Sequence, residues 1–181
     1  MIEQRQILNQ HDIELTIERL CQQLIEHHGD FKNTVIIGVQ PRGTFLSNRI
    51  IAKLQSLIPN STIESGNIDI SFYRDDLMRR EEPIVPEVMD MNLSVEGKNV
   101  VLIDDVLFTG RSIRSAIDAL MAFGRPKSVE LLTLIDRRFS RHLPIQPNYV
   151  GRTIDAIESE RVIVEWKEIN GKDRILMVKS E

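Results

Sequence analysis

Between Val100 and Ser112 the chain reads VVLIDDVLFTGRS, and this short run gathers residues able to do chemistry on a phosphorylated sugar. Asp104 and Asp105 offer acceptor oxygens, suited either to sugar hydroxyls or to a hydrated divalent cation, because Mg2+ commonly binds through one or two carboxylates plus phosphate oxygens. Gly110 permits a turn that brings consecutive backbone amides close to a ligand, and Thr109 and Ser112 add hydroxyls at the start of the next helix. A phosphate cup beside paired carboxylates fits a ribose 5-phosphate. Neighbouring side chains on a strand face opposite ways, so the two acids can share one ligand only where the strand is ending, which is where the sequence puts them. Acidic residues at a strand end also occur in Walker-B ATPase sites and receiver domains, but no G-x-x-x-x-G-K-[ST] loop is present in the sequence. An N-capping hydroxyl with incidental acids would explain Thr109 or Ser112 but not the adjacent acid pair.

These residues need a frame. Apolar positions at Ile13, Ile17, Leu20, Cys21, Leu24 and Ile25 predict an amphipathic helix over 12–28, stopped by Gly29. Thr34 to Val39, Asn99 to Ile103 and Val129 to Ile135 are β-branched runs without polar alternation, as expected of strands buried on both faces of a parallel sheet. Helical spacing follows Gly43 through Leu54, and again from Ile113 to Phe123, where Gly124 and Pro126 end it. Two strand-helix-strand crossovers imply an α/β fold with a mainly parallel, doubly wound sheet. Ligands of such sheets bind beyond the carboxyl ends of the strands. The segments in question are Gln40-Pro41-Arg42-Gly43, Asp104 to Ser112, and Asp136-Arg137-Arg138. Ile68 to Tyr73 alternates and is read as a strand feeding a long charged loop, Arg74 to Asn92, of the kind that covers active sites. Tyr149-Val150, Val162 to Trp166 and Ile175 to Val178 read as short edge or terminal strands.

Composition narrows the function classes. The 181 residues are 41% hydrophobic, which suits one compact domain spanning 1–181, and no apolar run approaches the ~20 residues that cross a bilayer. No secretory signal opens the chain, so a cytoplasmic, membrane-free protein is expected. A net charge of -4 argues against a general polyanion binder. The local cluster Arg137, Arg138, Arg141 and His142, with Arg152 beyond, reads as a solvated face, a phosphate site or an RNA surface. The single cysteine, Cys21, forms neither an internal disulfide nor a thiol pair for zinc and is read as a small buried helix residue; His28, at a helix end, is read as a terminus residue.

The Val100–Ser112 segment closely resembles the phosphoribosyl-pyrophosphate (PRPP) motif of type I phosphoribosyltransferases. The form DDVL[FY]TGR[ST], with IDISFYRDDL at Ile68 to Leu77, GVQPRG at Gly38 to Gly43 and LPI at Leu143 to Ile145, is similar to the branch of bifunctional pyrimidine-operon regulators that are also uracil phosphoribosyltransferases. The resemblance implies a sheet flanked by helices with a small hood and a mobile flap. It implies that Asp104 and Asp105 hold the ribose 2- and 3-hydroxyls, with Mg2+ as cofactor through the same pair. Val106, Leu107, Phe108, Thr109, Gly110, Arg111 and Ser112 would surround the 5-phosphate, and Pro41, Arg42 and Gly43 would form the pyrophosphate loop, with a strained non-proline cis peptide before Arg42. Tyr73, Arg74, Asp75 and Asp76 would open the flap, and Asp136 and Arg137 would lie near base and pyrophosphate. PRPP, uracil and uridine nucleotides are the implied ligands, and a homodimer or homotetramer the implied assembly. Such chemistry needs no covalent nucleophile: neutralised pyrophosphate leaves and the ribose carbon becomes oxocarbenium-like.

Two departures from that branch carry consequences. After the third strand it usually reads DRG, then His or Gly, then RELPI, whereas this chain has Asp136-Arg-Arg-Phe-Ser-Arg-His-Leu-Pro-Ile145, with Arg138 or Phe139 in place of the glycine. Bulk there bears on which base is accepted. The branch also reads leader RNA with a basic dimer face to which the first helix gives Thr and His; here those positions carry Glu18 and Gln22, so RNA affinity is expected to be weak.

Overall fold

The computed structural model describes residues 3–73, 93–157 and 159–179. Its larger sheet has five parallel strands in the order β3-β2-β4-β5-β6, formed by β2 (Thr34–Val39), β3 (Glu64–Ile68), β4 (Asn99–Leu107), β5 (Ser128–Arg137) and β6 (Tyr149–Ile154). Val35, Ile36 and Ile37 of β2 and Val100 to Ile103 of β4 are all fully buried, as an unbroken apolar run requires when both faces are covered. Helices α1 (Gln10–His28) and α2 (Gly43–Leu57) pack on the face formed by Ile36, Val101 and Ile103, and α3 (Arg111–Leu120) packs on the face of Val35, Ile37, Val100 and Leu102. The sheet is thus doubly wound. The chain moves from β2 outward to β3 and then returns to lay β4 on the other flank of β2, so the strand order reverses between β2 and β4.

A second, three-stranded antiparallel sheet joins β1 (Glu3–Leu8), β8 (Arg174–Lys179) and β7 (Glu160–Glu165) in the order β1-β8-β7. This is the expected hood. Arg49 of α2 ties it down: its guanidinium lies 4.6 Å from the Trp166 ring centroid, binds Glu168 at 2.7 Å and reaches the buried Asp173 at 2.8 Å. Burial alone would raise the Asp173 carboxyl, but Arg49 and the Lys167 amide hold it below the usual range.

Helix α1 starts two residues before the periodicity does, because Asn9 and Asp12 form a capping box: Asn9 Oδ1 accepts from Asp12 N at 2.9 Å and Asn9 N donates to Asp12 Oδ2 at 3.1 Å. At its other end His28 is built into the structure. Its Nε2 lies 3.2 Å from Glu130 Oε2, Nδ1 lies 3.1 Å from Thr34 Oγ1, and Tyr149 donates to the same carboxylate at 2.7 Å. Burial, opposed by Glu130, holds this imidazole below its ordinary pKa. The network staples α1 to the amino ends of β2 and β5, far from the strand ends that bind ligands. Cys21 is fully buried, and burial pushes its thiol up to about 12.

Two expectations need correction here. Ile68 to Tyr73 is not a strand: β3 ends at Ile68, where Gln40 N donates to Ile68 O, and Asp69 Oδ1 then accepts from Ser71 N at 2.8 Å and Ser71 Oγ at 2.6 Å, which turns the chain into a short 3-10 helix at Ser71–Tyr73. The aspartate side chain competes with the ladder, and the true strand lies in the polar run Glu64-Ser-Gly-Asn. The cis peptide is Gln40–Pro41, not the bond before Arg42. A tertiary amide makes cis nearly as favourable as trans, whereas the Pro41–Arg42 bond has no such dispensation. The flap beyond Tyr73, including Arg74, Asp75 and Asp76, lies outside the described residues.

Candidate active site at the strand ends

The strand order reverses between β2 and β4, and the two most unusual sequence segments leave the sheet at the carboxyl ends of these strands, where open α/β sheets bind ligands. Strand β4 stops pairing with β2 at Ile103 but continues along β5 as far as Leu107. The acid pair therefore sits on a ledge, bonded on one side and open on the other. The two carboxyls have different neighbours: Asp104 lines a cavity at the start of α3, whereas Asp105 lies beside Arg42 at the start of α2. Asp104 lines a cavity of about 240 Å3 with Val106, Leu107, Phe108, Thr109, Gly110, Arg111, Ser112, Ile113 and Ser115. All seven residues expected around a 5-phosphate are among them. Gly110, at φ 91°, caps α3, whose amino end lies at the same end of the sheet; there the Arg111 amide donates to Thr109 Oγ1 at 3.4 Å. Ile113 and Ser115 were not foreseen as lining residues; their positions three after Gly110 and four after Arg111 were the available signal.

Asp105 is 5% exposed, and its Oδ2 accepts no hydrogen bond among the described residues. Its nearest cation is Arg42, with Nη1 at 3.8 Å. Burial pushes the carboxyl up, while Arg42 and the Val106 amide oppose it. Asp104 is raised well above the usual range by burial and by its charged neighbour. A pair of carboxylates that resist ionisation with one half-exposed arginine between them is an under-compensated negative site, fitted to a cation or to a ring of hydroxyl donors. No cluster of three or more His, Cys, Asp or Glu able to hold a metal occurs among the described residues, so a cation here would draw most of its ligands from water and substrate oxygens.

Arg42 precedes α2 and donates through Nη1 to Val164 O of the hood at 3.0 Å. Gly43 brings that helix start against β4: a Cβ there would fall 2.3 Å from Ile103 O. Pro41 O accepts from Thr44 Oγ1 at 2.7 Å. Tyr73 comes to α3, its carbonyl accepting from Arg114 Nη2 at 3.1 Å. Asp136 forms an ion pair with Arg141. Arg137 is 5% exposed; it donates to Glu160 O at 2.9 Å and stacks 4.0 Å from the centroid of the Phe108 ring. The structure thus brings Arg42, Asp104, Asp105, the 106–112 loop and Arg137 to one end of the sheet.

A parallel sheet with a glycine-turned loop, a helix amino end and two buried carboxylates at its switch point defines a domain built to hold a phosphorylated sugar. Residues 3–168 match the family model of the phosphoribosyl transferase domain. The chain is 41% identical over 174 residues to the bifunctional protein PyrR of Microcystis aeruginosa, covering 96% of this chain and 97% of that one. It is 38% identical over 176 residues to the bifunctional protein PyrR of Clostridioides difficile, covering 97% and 98%. Among solved structures, a hypoxanthine phosphoribosyltransferase of Staphylococcus aureus superposes with a TM-score of 0.70 at 22% identity, over 97% of this chain and 92% of that one. That of Trypanosoma cruzi gives 0.72 at 17% identity, over 98% and 97%. The chain belongs to the phosphoribosyl transferase family and, within it, to the PyrR branch. The hypoxanthine enzymes share its fold.

Proposed function

We propose that this protein transfers the phosphoribosyl group of PRPP to uracil, releasing pyrophosphate and forming UMP. The observation that carries the reading is the buried, under-compensated Asp104–Asp105 pair beside a glycine-turned loop in a chain of the PyrR branch. In the reaction the bond from ribose C1 to pyrophosphate breaks, a bond from C1 to uracil N1 forms, and the N1 proton is lost. Asp104 and Asp105 hold the ribose hydroxyls and the 106–112 loop the 5-phosphate. Arg42 leaves Val164 O to meet the pyrophosphate. Mg2+ fits beside the two carboxylates and, when bound, supplies charge neutralisation for the leaving group. Asp136 and Arg137 lie in the vicinity of the base and pyrophosphate. The described helices include none long and apolar enough to cross a membrane. A cytoplasmic location and a homodimer or homotetramer belong to the same proposal.

The test is a PRPP- and Mg2+-dependent assay with uracil beside guanine, hypoxanthine, adenine and orotate. UMP formation with uracil preferred is the expected result. Preferred use of a purine would transfer the reading to another base and make the rebuilt 137–142 segment its cause.

Leader RNA is proposed as a weak partner only. Glu18 and Gln22 are exposed on α1, and two of the cations of the basic cluster are already ion-paired, Arg138 with Asp155 at 2.8 Å and Arg141 with Asp136, while Arg152 and the α1 residue Arg19 are tied to backbone carbonyls, Ile7 O at 3.1 Å and Gly151 O at 2.5 Å. Phosphate contacts supply most of such affinity. Filter binding to a pyrimidine-leader RNA is expected to show weak, strongly salt-dependent retention; tight binding that responds to uridine nucleotides would overturn this.

A further inference from the structure

Arg141 belongs to the basic cluster that the sequence leaves open between a solvated face, a phosphate site and an RNA surface, and its surroundings are not those of a solvated face. Its side chain is only 17% exposed, paired with the 14%-exposed carboxylate of Asp136, and its other terminal nitrogen donates to Phe108 O. The next two residues hold the same loop by their backbone: His142 N and Leu143 N donate to Thr109 O at 3.0 and 3.3 Å. Two consecutive loop carbonyls, Phe108 and Thr109, are therefore gripped from one side.

That grip fixes where the loop amides go. In a trans peptide the carbonyl and the following N–H point in opposite directions, and neither of these bonds is cis. With Phe108 O and Thr109 O turned to the 141–143 segment, the amides of Thr109 and Gly110 turn away from it. The cavity containing Asp104 and the 106–112 loop lies on one side of the loop. Arg141 lines a different one, of about 370 Å3, with Asp136, Leu143 and Ile145. Gly110 presses its back on that second side, where an added Cβ would touch Ile145 at 3.4 Å and Arg141 Cδ at 3.6 Å.

We propose that Arg141 is a positioning residue for the 5-phosphate: by bridging Asp136 to Phe108 O it holds the Thr109 and Gly110 amides toward the ligand. This rests on the transferase reading above. A planar guanidinium can satisfy carboxylate and carbonyl together, and an ammonium reaches only one of them well, so lysine is not an equivalent. Asp136 anchors the bridge, which gives that residue a part in phosphate binding as well as its place near the base.

The experiment compares wild type, Arg141→Gln, Arg141→Lys and Asp136→Asn for binding of ribose 5-phosphate and UMP by calorimetry, with backbone amide NMR of Thr109 and Gly110 during the titration. Loss of the bridge is expected to weaken both ligands about ten- to a hundredfold in Arg141→Gln, the scale on which small misplacements act. Arg141→Lys and Asp136→Asn should lie between it and wild type. The Thr109 and Gly110 amide signals should lose their response to ribose 5-phosphate, and in the Arg141 variants the PRPP KM should rise while the uracil KM stays. A merely structural role would not confine the change to those two amides. Equal ligand affinity in folded Arg141→Gln overturns the inference and leaves the transferase reading standing; a wild type that binds neither ligand overturns both. Should Arg141→Gln fail to fold, the other two variants decide, and unchanged affinity in both overturns the inference.

Discussion

Asp105→Asn is expected to lower PRPP-dependent turnover by about 10²–10³-fold, the cost of removing one well-placed electrostatic group, and at the same time to raise the melting temperature of the free protein. The two effects come from one fact. Asp105 is buried, its Oδ2 accepts no hydrogen bond among the described residues, and Arg42 stands off at 3.8 Å. Folding without ligand therefore imposes a charge on a site that does not compensate it. An asparagine there leaves a buried amide partly unsatisfied, at roughly 1–3 kcal/mol. An under-paired carboxylate costs more. Because burial lifts the folded pKa above its ordinary value, the folded state binds the proton more readily than the unfolded chain. The favourable contribution is present in acid and is lost as pH rises through the folded pKa. The gain from Asp105→Asn should thus be larger at pH 7.5 than at pH 4.5. Thermal melts of both proteins in EDTA at the two pH values, with steady-state rates alongside, check this. A variant that loses stability together with activity would mean that Asp105 serves the fold and not the ligand.

How much of this was legible beforehand depended on whether side chains or backbone carried the information. Thr34–Val39 was read to the residue because a run buried on both faces leaves no polar position to blur it. Strand β1 was not foreseen: Gln4, Arg5 and Gln6 are exposed, and the strand is held by its backbone ladder to β8. Likewise β3 was placed four residues late, since Ile68 and Ile70 are both buried while the chain between them has already begun to turn around Asp69. At the site, 106–112 was readable as one cavity-lining stretch because its glycine and hydroxyls stand together in sequence. The different surroundings of Asp104 and Asp105 were not readable from alternation alone, because the strand changes phase between Ile103 and Val106: Leu107 packs with Val100 and Leu102, and Val106 with Val101 and Ile103. Arg141 was visible only as one more positive charge. What singles it out is a carbonyl 33 residues away in sequence, which no local pattern announces.

The same long-range dependence makes Gly43→Ala more damaging than alanine at the positive-φ glycine Gly97. Gly110 and Gly97 have positive φ, and alanine there would strain the backbone by about 1 kcal/mol or somewhat more. Gly43 has no such strain to offer, and its burden is space: an added Cβ would lie 2.3 Å from Ile103 O, 3.1 Å from Asp104 Cα and 3.2 Å from Ile103 C. All three are backbone atoms of β4, so no side chain can swing aside. Either α2 or the end of β4 must retreat by about 1 Å, and overpacking of this kind costs roughly 1–3 kcal/mol. The displacement falls on the ledge that carries Asp104 and Asp105 and on the helix start that carries Arg42. A shift of that size is expected to reduce kcat/KM about a hundredfold even in molecules that remain folded. Gly97→Ala, with nothing within 4 Å of its Cβ, is the comparison: a similar loss of melting temperature, with activity near wild type below the transition. If Gly43→Ala melts and turns over like wild type, the close approach of α2 to β4 is dispensable, and the alignment of Arg42 with the acid pair must be set by the hood through Val164 instead.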